Sequence, residues 1–268
     1  MTRSSRSIIA RYNNVRLYNI AGLKVGFSGS HIPETAAFSQ YTSNDNVDFD
    51  GPSLIFNDSD IEAANVRLED SLGKGDDALA LMFLLAERMP EFRRILVHAA
   101  AIRYRDTAYL FAAPSGVGKS THISLWREYL GQEVSVICGD KPIIEIDNKT
   151  ETVMVCGTPW GGKEGWQSNI SAPVGGICML ERGDNNVIHK LTPNHAIDGF
   201  MRQVYIPQTK RMAGQTLELV ASVLALVPFY NLSCNVSQEA VMCSFEAMTG
   251  LSYANCKLEP DDSGTHYR

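Results

Sequence analysis

The sequence lacks the features that define several large classes of protein. No apolar run approaches the length of a membrane span, and the apolar stretch from Ile8 to Ala10 is too short for a secretory signal. The six cysteines among 268 residues are widely spaced, with no C-x-x-C pair and no histidine at a metal-binding spacing. We therefore expect a cytoplasmic protein whose cysteines are reduced rather than joined in a disulfide framework.

Positive charge is scarce as well. Lysine and arginine number 24 against 30 aspartates and glutamates, which gives a formal net charge of -6 at pH 7, and no basic run is present. This balance argues against nonspecific binding to nucleic acid or to an anionic membrane. With 44% hydrophobic and 20% charged residues and no internal repeat, the composition is typical of a globular protein with one sizeable core or two modest ones.

A glycine-rich segment near the middle of the chain is typical of a phosphate-binding loop. Residues 113–120 match the pattern G-x-x-x-x-G-K-[ST] at Gly118, Lys119 and Ser120. The match departs at the first position, where Ala113 stands for glycine. Alanine is the smallest step from glycine, so the segment still predicts a nucleotide-phosphate site.

Each residue type in this loop has a chemical reason. Gly116 and Gly118 have no Cβ, so the backbone can adopt positive φ and bring its N–H groups close to phosphate oxygens. The start of the following helix directs unpaired N–H groups and a positive dipole end at the same anion. Lys119 supplies a point charge for the β- and γ-phosphates, and the Ser120 hydroxyl is placed to coordinate Mg²⁺. We expect ATP to contact Pro114, Ser115, Gly116, Val117, Gly118, Lys119, Ser120 and Thr121.

The elements around the loop are predicted to form a sheet edge. Two apolar strands, Arg94 to Arg103 and Thr107 to Phe111, precede the loop, and a helix from Thr121 to Leu130 follows it. The next strand, Val134 to Cys138, ends just before Asp140. Because open α/β sheets bind ligands at the carboxyl ends of their strands, we expect Asp140 beside the loop, either as a base or as a Mg²⁺ ligand.

A second glycine-rich segment, residues 157–166, contains four glycines, two tryptophans and Lys163. One interpretation is a tight turn in which Trp160 and Trp166 cover the core. The interpretation we favour is a mobile flap that brings Lys163 to the transferring phosphoryl group.

The pattern of elements predicts an α/β fold with a P-loop core, a β-rich N-terminal region and a helical C-terminal region. Residues 1–75 contain the strand candidates Leu23 to Phe27, Ser53 to Phe56 and Val66 to Glu69. Residues 76–257 are expected to form the catalytic domain, and residues 258–268 a flexible tail.

The end of the catalytic region is predicted to be largely helical. Residues 192–228 have helical spacing in two pieces divided near Pro207, and the apolar stripe of the second piece consists of Leu217, Val220, Val223, Leu224 and Leu226. A strand at Pro228 to Leu232 and a last helix at Glu239 to Met248 follow.

Four short patterns occur together in this chain. They are HAAAI at His98 to Ile102, F-x-APSGxGKSTH at Phe111 to His122, GDKP at Gly139 to Pro142 and GTPWxGKEG at Gly157 to Gly165. The combination resembles the catalytic domain of HPr kinase/phosphorylase and, more closely, the short bacterial HPr-kinase-like proteins.

The resemblance implies a P-loop fold related to the phosphoenolpyruvate carboxykinases, with ATP and Mg²⁺ as cofactors, a hydroxyl acceptor and an oligomeric assembly. It implies that His98 lies near the transferred phosphate and that Asp140 matches the second of two adjacent aspartates, one of which acts as the base. The chain differs from the family's pattern at two places, and both differences argue against HPr as the substrate and against the phosphorylase reaction. Gly139 replaces the first aspartate, and residues 160–163 replace the Arg-Gly-Leu-Gly segment.

Together these features predict an ATP- and Mg²⁺-dependent kinase that phosphorylates a hydroxyl group of a protein, a peptide or a small molecule. In this hypothesis Lys119, His98, Asp140 and Lys163 are the catalytic residues, with Lys163 stabilising transition-state charge. The alternative is a nucleotide-dependent switch or binding module with slow ATP hydrolysis. A decarboxylating carboxykinase is less favoured, because the chain offers no convincing set of metal ligands.

Overall fold

The computed structural model describes residues 15–30, 36–43, 53–72, 76–147 and 149–256, and within them the chain is a mixed α/β protein. The first sheet has three strands, β1 (Val15–Ile20), β2 (Leu23–Ser28) and β3 (Ser53–Asn57). β1 and β2 form an antiparallel hairpin, and β3 lies parallel to β2. The strands expected at Leu23 to Phe27 and at Ser53 to Phe56 are therefore confirmed.

Three helices pack near this sheet: α1 (Ala36–Ser39), α2 (Asp58–Leu72) and α3 (Asp77–Arg88). α3 begins after Asp76, whose side chain caps the helix by accepting a hydrogen bond from the backbone N–H of Leu79 at 3.0 Å. The acidic pair at residues 76 and 77 therefore lies at the start of this helix, where negative charge complements the helix dipole.

The prediction of a strand at Val66 to Glu69 is wrong, because these residues lie inside α2. Ile61, Ala64 and Leu68 are buried, and their spacing of three and four residues places them on one face of the helix. A four-residue alternation is too short to distinguish a strand from a helix, and packing of this face decided the outcome.

The second sheet has nine strands in the described residues: β4 (Arg94–Leu96), β5 (Ala99–Tyr104), β6 (Thr107–Ala112), β7 (Val134–Cys138), β8 (Ile143–Ile146), β9 (Val153–Cys156), β10 (Ser171–Arg182), β11 (Val187–Leu191) and β12 (Phe229–Cys234). Their order across the sheet is β4-β8-β9-β10-β6-β5-β7, with β12 beside β10 and β11 beside β12. The start of β10 pairs antiparallel with β9, and its later part pairs parallel with β6 and β12. β6, β10 and β12 therefore end at one edge of the sheet.

The segment expected to be a single strand from Arg94 to Arg103 is two strands, which corrects that prediction. β4 pairs with β8, whereas β5 pairs with β6 and β7. The chain changes partners at Val97 and His98, so it cannot continue one ladder. This break leaves His98 at the start of β5, at the edge where β6 and β7 end.

Helices cover both faces of the central strands. Along β6, Ala108, Leu110 and Ala112 join one core cluster, and Tyr109 and Phe111 join another, because successive side chains of a strand point to opposite faces. α4 (Lys119–Leu130) and α7 (Gln238–Thr249) cover the second face, and α5 (Pro193–Met201) and α6 (Lys210–Leu226) the first.

The two helices predicted between residues 192 and 228 are confirmed by α5 and α6, and the last helix by α7. The apolar stripe on α6 is corrected in part. Val220, Val223 and Leu224 are buried, but Leu217 and Leu226 are exposed because they lie at the two borders of the buried face.

A third core cluster unites the first sheet with α3, Leu96, Ile143 and Cys156. It packs residues from both sides of position 75 together, so the division into domains at that point stays a prediction. The expected tail, residues 258–268, lies outside the described residues. None of the helices in the described part of the chain is long and apolar enough to cross a membrane.

Candidate functional site

The loop between β6 and α4 has the backbone of an anion-binding turn. Gly116 has a φ of +82° and Gly118 a φ of +128°, values that side-chain-bearing residues rarely adopt. A Cβ at either position would meet no atom within 4 Å, so the space above the loop is open. Gly118 is the N-cap of α4 and no side chain caps the helix, which leaves its first N–H groups facing this space.

Ala113, the departure from the loop pattern, causes no strain. It is buried, and it is absent from the residues of the described chain that have positive φ without being glycine. Its carbonyl oxygen accepts a hydrogen bond from Nζ of Lys119 at 3.0 Å. The backbone geometry here suits alanine as well as glycine.

Lys119 holds its ammonium group inside the site. Its side chain is 8% exposed, and Nζ lies 2.9 Å from Nε2 of His98. Burial lowers the pKa of Lys119, and the charge of Lys141 adds to this, whereas the carboxylates of Asp140 and Glu164 oppose it. Lys119 is thus a desolvated cation that lacks a direct carboxylate partner among the described residues, which suits it to bind an incoming anion.

Asp140 pairs with two basic side chains. Its Oδ1 lies 3.1 Å from Nε2 of His98, and its Oδ2 accepts a hydrogen bond from Nζ of Lys141 at 2.9 Å. Burial by itself raises the pKa of Asp140, but the hydrogen bonds and charges of His98 and Lys141 outweigh it and lower the pKa to about 2. The carboxylate is therefore ionised at neutral pH and is a weak proton acceptor.

Backbone hydrogen bonds fix the chain around His98 against both Asp140 and Gln203. The N–H of Ala99 donates to the carbonyl of Asp140 at 3.0 Å, and the N–H of His98 donates to the carbonyl of Gln203 at 2.7 Å. Ala99, Ala100 and Ala101 are fully buried, so their small side chains allow β5 to pack tightly between its neighbours. The alanine run beside His98 has this packing function.

One cavity of about 360 Å³ collects nearly all of the predicted site residues, and we call it the phosphate cavity. Its lining contains His98, Asp140, Lys163 and these loop residues: Ser115, Gly116, Gly118, Lys119, Ser120 and Thr121. Pro114 and Val117 do not line it and instead line neighbouring cavities.

The flap predicted around Lys163 has a fixed base and an exposed tip. Gly162 and Gly165 both have positive φ, and the N–H of Gly165 donates to the carbonyl of Gly162 at 3.1 Å, which forms a tight turn. The side chain of Lys163 is 90% exposed, with Nζ 4.0 Å from the Glu164 carboxylate. Lys163 therefore lines the mouth of the phosphate cavity but does not contact Lys119.

The tryptophans hold the base of this segment. Nε1 of Trp160 donates to the carbonyl of Ala78 at 2.7 Å, and its ring packs edge-on against Phe38. The guanidinium of Arg127 lies 5.3 Å from the centre of the Trp166 ring. The structure thus gives the tryptophans the covering function and leaves the turn between them open to solvent.

Steric crowding explains the glycine at position 139, where the HPr kinases have an aspartate. A Cβ at Gly139 would lie 2.5 Å from the carbonyl oxygen of Gly161, and its own N–H donates to the carbonyl of Trp166 at 2.7 Å. The second glycine-rich segment lies directly against the backbone at this point, so a side chain there has no room.

Three site residues were missed by the sequence analysis. Lys141 and Glu164 lie within quoted patterns, and only the structure gives them charge interactions with Asp140 and Lys119. Arg182, at the end of β10, donates from Nε to the carbonyl of Val117 at 3.2 Å and from Nη2 to the carbonyl of Gly116. No sequence signal connects Arg182 to the loop.

The two predicted magnesium ligands, Ser120 and Asp140, line the same cavity, together with the carboxylate of Glu164. Mg²⁺ prefers such oxygen ligands and is usually held by one or two carboxylates together with substrate phosphates. These residues fit that ion. In the described part of the chain, no three or more His, Cys, Asp or Glu side chains cluster as a metal site.

Comparison with known proteins gives little further information. No protein-family model and no curated protein sequence matches the chain. Among solved structures, the chain is similar to the HPr(Ser) kinase/phosphatase from Coxiella burnetii, with a TM-score of 0.33 and 8% sequence identity. The match covers 58% of this chain and 93% of the other.

Proposed function

We propose that this protein is an ATP- and Mg²⁺-dependent kinase that transfers the γ-phosphoryl group to a hydroxyl acceptor. The observation that supports this most directly is the convergence of the glycine turn, the buried ammonium of Lys119 and the ionised carboxylate of Asp140 on one cavity. An anion placed there meets backbone N–H groups, a helix N-terminus and a desolvated cation together.

Binding and positioning account for most of the chemistry in this proposal. The loop N–H groups and Lys119 bind the β- and γ-phosphates, and Arg182 holds the loop by its carbonyl groups from the other side. Ser120 and Asp140 would hold Mg²⁺, which would neutralise charge that develops on the phosphate oxygens.

The transfer itself forms a bond from the acceptor oxygen to the γ-phosphorus and breaks the bond from that phosphorus to the bridging oxygen, so that ADP leaves. The hydroxyl proton passes to solvent. Asp140, with a pKa of about 2, is a poor acceptor for it, and a loose transition state needs little help from a base. For this reason we assign Asp140 to metal binding rather than to proton abstraction.

The acceptor is a serine of a protein or peptide, or a small molecule, and Lys163 at the mouth of the cavity is our candidate for stabilising transition-state charge. These hypotheses are tested by incubating the purified protein with Mg²⁺ and γ-labelled ATP, with and without a nucleotide-depleted cell extract. Transfer of label to the protein or the small-molecule fraction identifies the substrate class. Extract-dependent transfer that disappears in Lys119→Ala and persists in the exposed control Asp106→Asn supports the kinase.

Two outcomes would change this assignment. ATP binding without any transfer indicates the nucleotide-dependent switch, and an unchanged turnover in Lys119→Ala excludes the site altogether. The function of Asp140 is tested separately with Asp140→Asn. A metal ligand predicts that the Mg²⁺ concentration for half-maximal activity rises, whereas a base predicts a lower rate at an unchanged Mg²⁺ requirement.

A further inference from the structure

A second cavity, of about 580 Å³, lies beside the phosphate cavity, and we call it the side cavity. Gly116, Gly118 and Thr121 line both cavities. The two spaces therefore meet along the glycine turn and the first turn of α4. The size of the side cavity falls within the roughly 300–1,000 Å³ of small-molecule sites.

The face of α4 leads from one cavity into the other. Gly118, Thr121 and Leu125 are spaced by three and four residues, so they lie on one side of the helix, and all three line the side cavity. A ligand whose phosphates rest on the turn would continue along this face toward Leu125, one helical turn further on.

The walls of the side cavity suit a flat, partly apolar group. Val117 and Leu180 contribute apolar surface, and the carboxylates of Glu181 and Asp184 line the same space and can accept hydrogen bonds from hydroxyl groups. Val236 at the rim is 74% exposed, the largest exposure among the large apolar side chains that the structure describes as exposed.

The rim that carries Val236 is cross-braced. The side-chain oxygen of Asn186 accepts from the N–H of Asn235 at 3.0 Å, and the amide nitrogen of Asn186 lies 3.1 Å from the side-chain oxygen of Asn235. Asn235 also donates to the carbonyl of Asp184 at 3.1 Å. This bracing fixes the rim of the side cavity, so Val236 is placed to contact a flat apolar group bound there.

We propose that the side cavity binds the nucleoside of ATP, with the base between Val117, Leu125 and Val236. This inference rests on the proposed function, since the triphosphate must occupy the phosphate cavity. A third cavity, of about 660 Å³ beside α5, shares no lining residue with the phosphate cavity. A nucleotide has to occupy connected spaces, so the side cavity is the site for its base.

The experiment measures binding of ATP and of inorganic triphosphate in the presence of Mg²⁺ by isothermal titration calorimetry. Triphosphate needs the phosphate cavity alone. Val236→Asp should weaken ATP binding about tenfold, because it removes apolar contact at the base, and leave triphosphate binding within about twofold. Val66→Asp is the matched control, because Val66 is 58% exposed on α2 and lies outside these cavities.

Cysteine labelling provides a readout on the wild-type protein. Cys234 lines the side cavity, whereas Cys243 does not line it and is similarly half-buried. Burial raises the pKa of both thiols, so the labelling is done at alkaline pH, where ATP should slow alkylation of Cys234 by iodoacetamide and leave that of Cys243 unchanged. Triphosphate should protect neither thiol.

The outcomes separate the two proposals. If neither ATP nor triphosphate binds, the proposed function fails and this inference fails with it. If ATP binds but Val236→Asp and the Cys234 labelling show no response, the nucleotide site of the proposed function stands and the side cavity is not the nucleoside site. If instead His195→Ala, in the third cavity, selectively weakens ATP, the nucleoside lies beside α5 and this inference is overturned.

Discussion

Nε2 of His98 lies 2.9 Å from Nζ of Lys119, and the same nitrogen lies 3.1 Å from Oδ1 of Asp140. A ring nitrogen carries either a proton or a lone pair, so it can donate to Asp140 or accept from Lys119 but cannot do both. Lys119 and Asp140 therefore compete for the same nitrogen of His98. An anion that attracts Lys119 would leave Nε2–H free to donate to Asp140.

Replacing His98 tests whether its ring donates a hydrogen bond to Asp140. In His98→Ala the pKa of Asp140 should rise above about 2, because burial already raises it and a hydrogen bond that opposes burial is lost. Carbon-13 NMR titration of the Asp140 carboxyl group measures the change. His189→Ala, on the exposed strand β11, should leave that titration unaltered, and an unaltered titration in His98→Ala would show that Lys141 alone stabilises the carboxylate.

Arg182 is expected to position the phosphate loop. Because its guanidinium bonds the carbonyl groups of Gly116 and Val117, Arg182→Ala should loosen the turn and raise the KM for ATP about tenfold, with a smaller effect on kcat. Steady-state kinetics over a range of ATP concentrations separate the two constants. Arg88→Ala, in an exposed pair with Glu91, is the matched control, and equal KM values in both variants would rule out the positioning function.

Gly139 should tolerate no side chain. Gly139→Ala places a Cβ 2.5 Å from the carbonyl of Gly161, so we expect the free energy of unfolding to fall by about 1–3 kcal/mol. Gly214→Ala, in α6 with open space at its Cβ, should instead raise it by about 0.5–1 kcal/mol. Urea denaturation measures the change in the free energy of unfolding for both variants, which should be opposite in sign. An unchanged free energy of unfolding in Gly139→Ala would mean that the segment containing Gly161 moves away easily.

Lys163 should affect turnover but not nucleotide binding. Its side chain is exposed and does not contact Lys119, so Lys163→Ala should leave the ATP dissociation constant unchanged. If the turn closes during transfer, kcat should fall about 10²- to 10³-fold. Single-turnover assays isolate the phosphoryl-transfer step, and the exposed variant Lys190→Ala is the control. An equal rate in Lys163→Ala and Lys190→Ala would exclude Lys163 from the catalytic residues.

The buried histidine under the loop helix predicts an acid-sensitive stability. His122 is 3% exposed and lies 3.0 Å from Oγ of Ser244, and burial lowers its pKa to about 4. Between about pH 6.5 and pH 4 the unfolded chain therefore binds more protons than the folded one, so stability falls as the pH falls through this window, by up to about 3 kcal/mol.

The contribution of His122 can be isolated with His122→Gln, which does not titrate. Denaturant unfolding at pH 7 and at pH 4 should show a smaller loss of stability in this variant than in the wild-type protein. His189→Gln, at an exposed position, should retain the wild-type loss. An identical loss in all three proteins would assign the acid sensitivity to other groups.

Local patterns predicted much of the fold. The apolar strand before the phosphate loop and the helical spacing after it both lead to elements that the structure contains. These signals are reliable because they depend on neighbours within a few residues along the chain. Where the local signal was short, as at Val66 to Glu69, packing against the core decided for a helix.

The sequence by itself determined the loop chemistry, since glycine at positions 116 and 118 and the lysine that follows suit a turn of positive φ around an anion. Only the tertiary structure decided what surrounds that loop. The change of partners at His98, the bonds from Arg182 across 65 and 66 residues and the close approach of Gly161 to Gly139 all join segments far apart in the chain. Such contacts depend on how the strands pair, and pairing is set by burial of the whole sheet rather than by any local pattern.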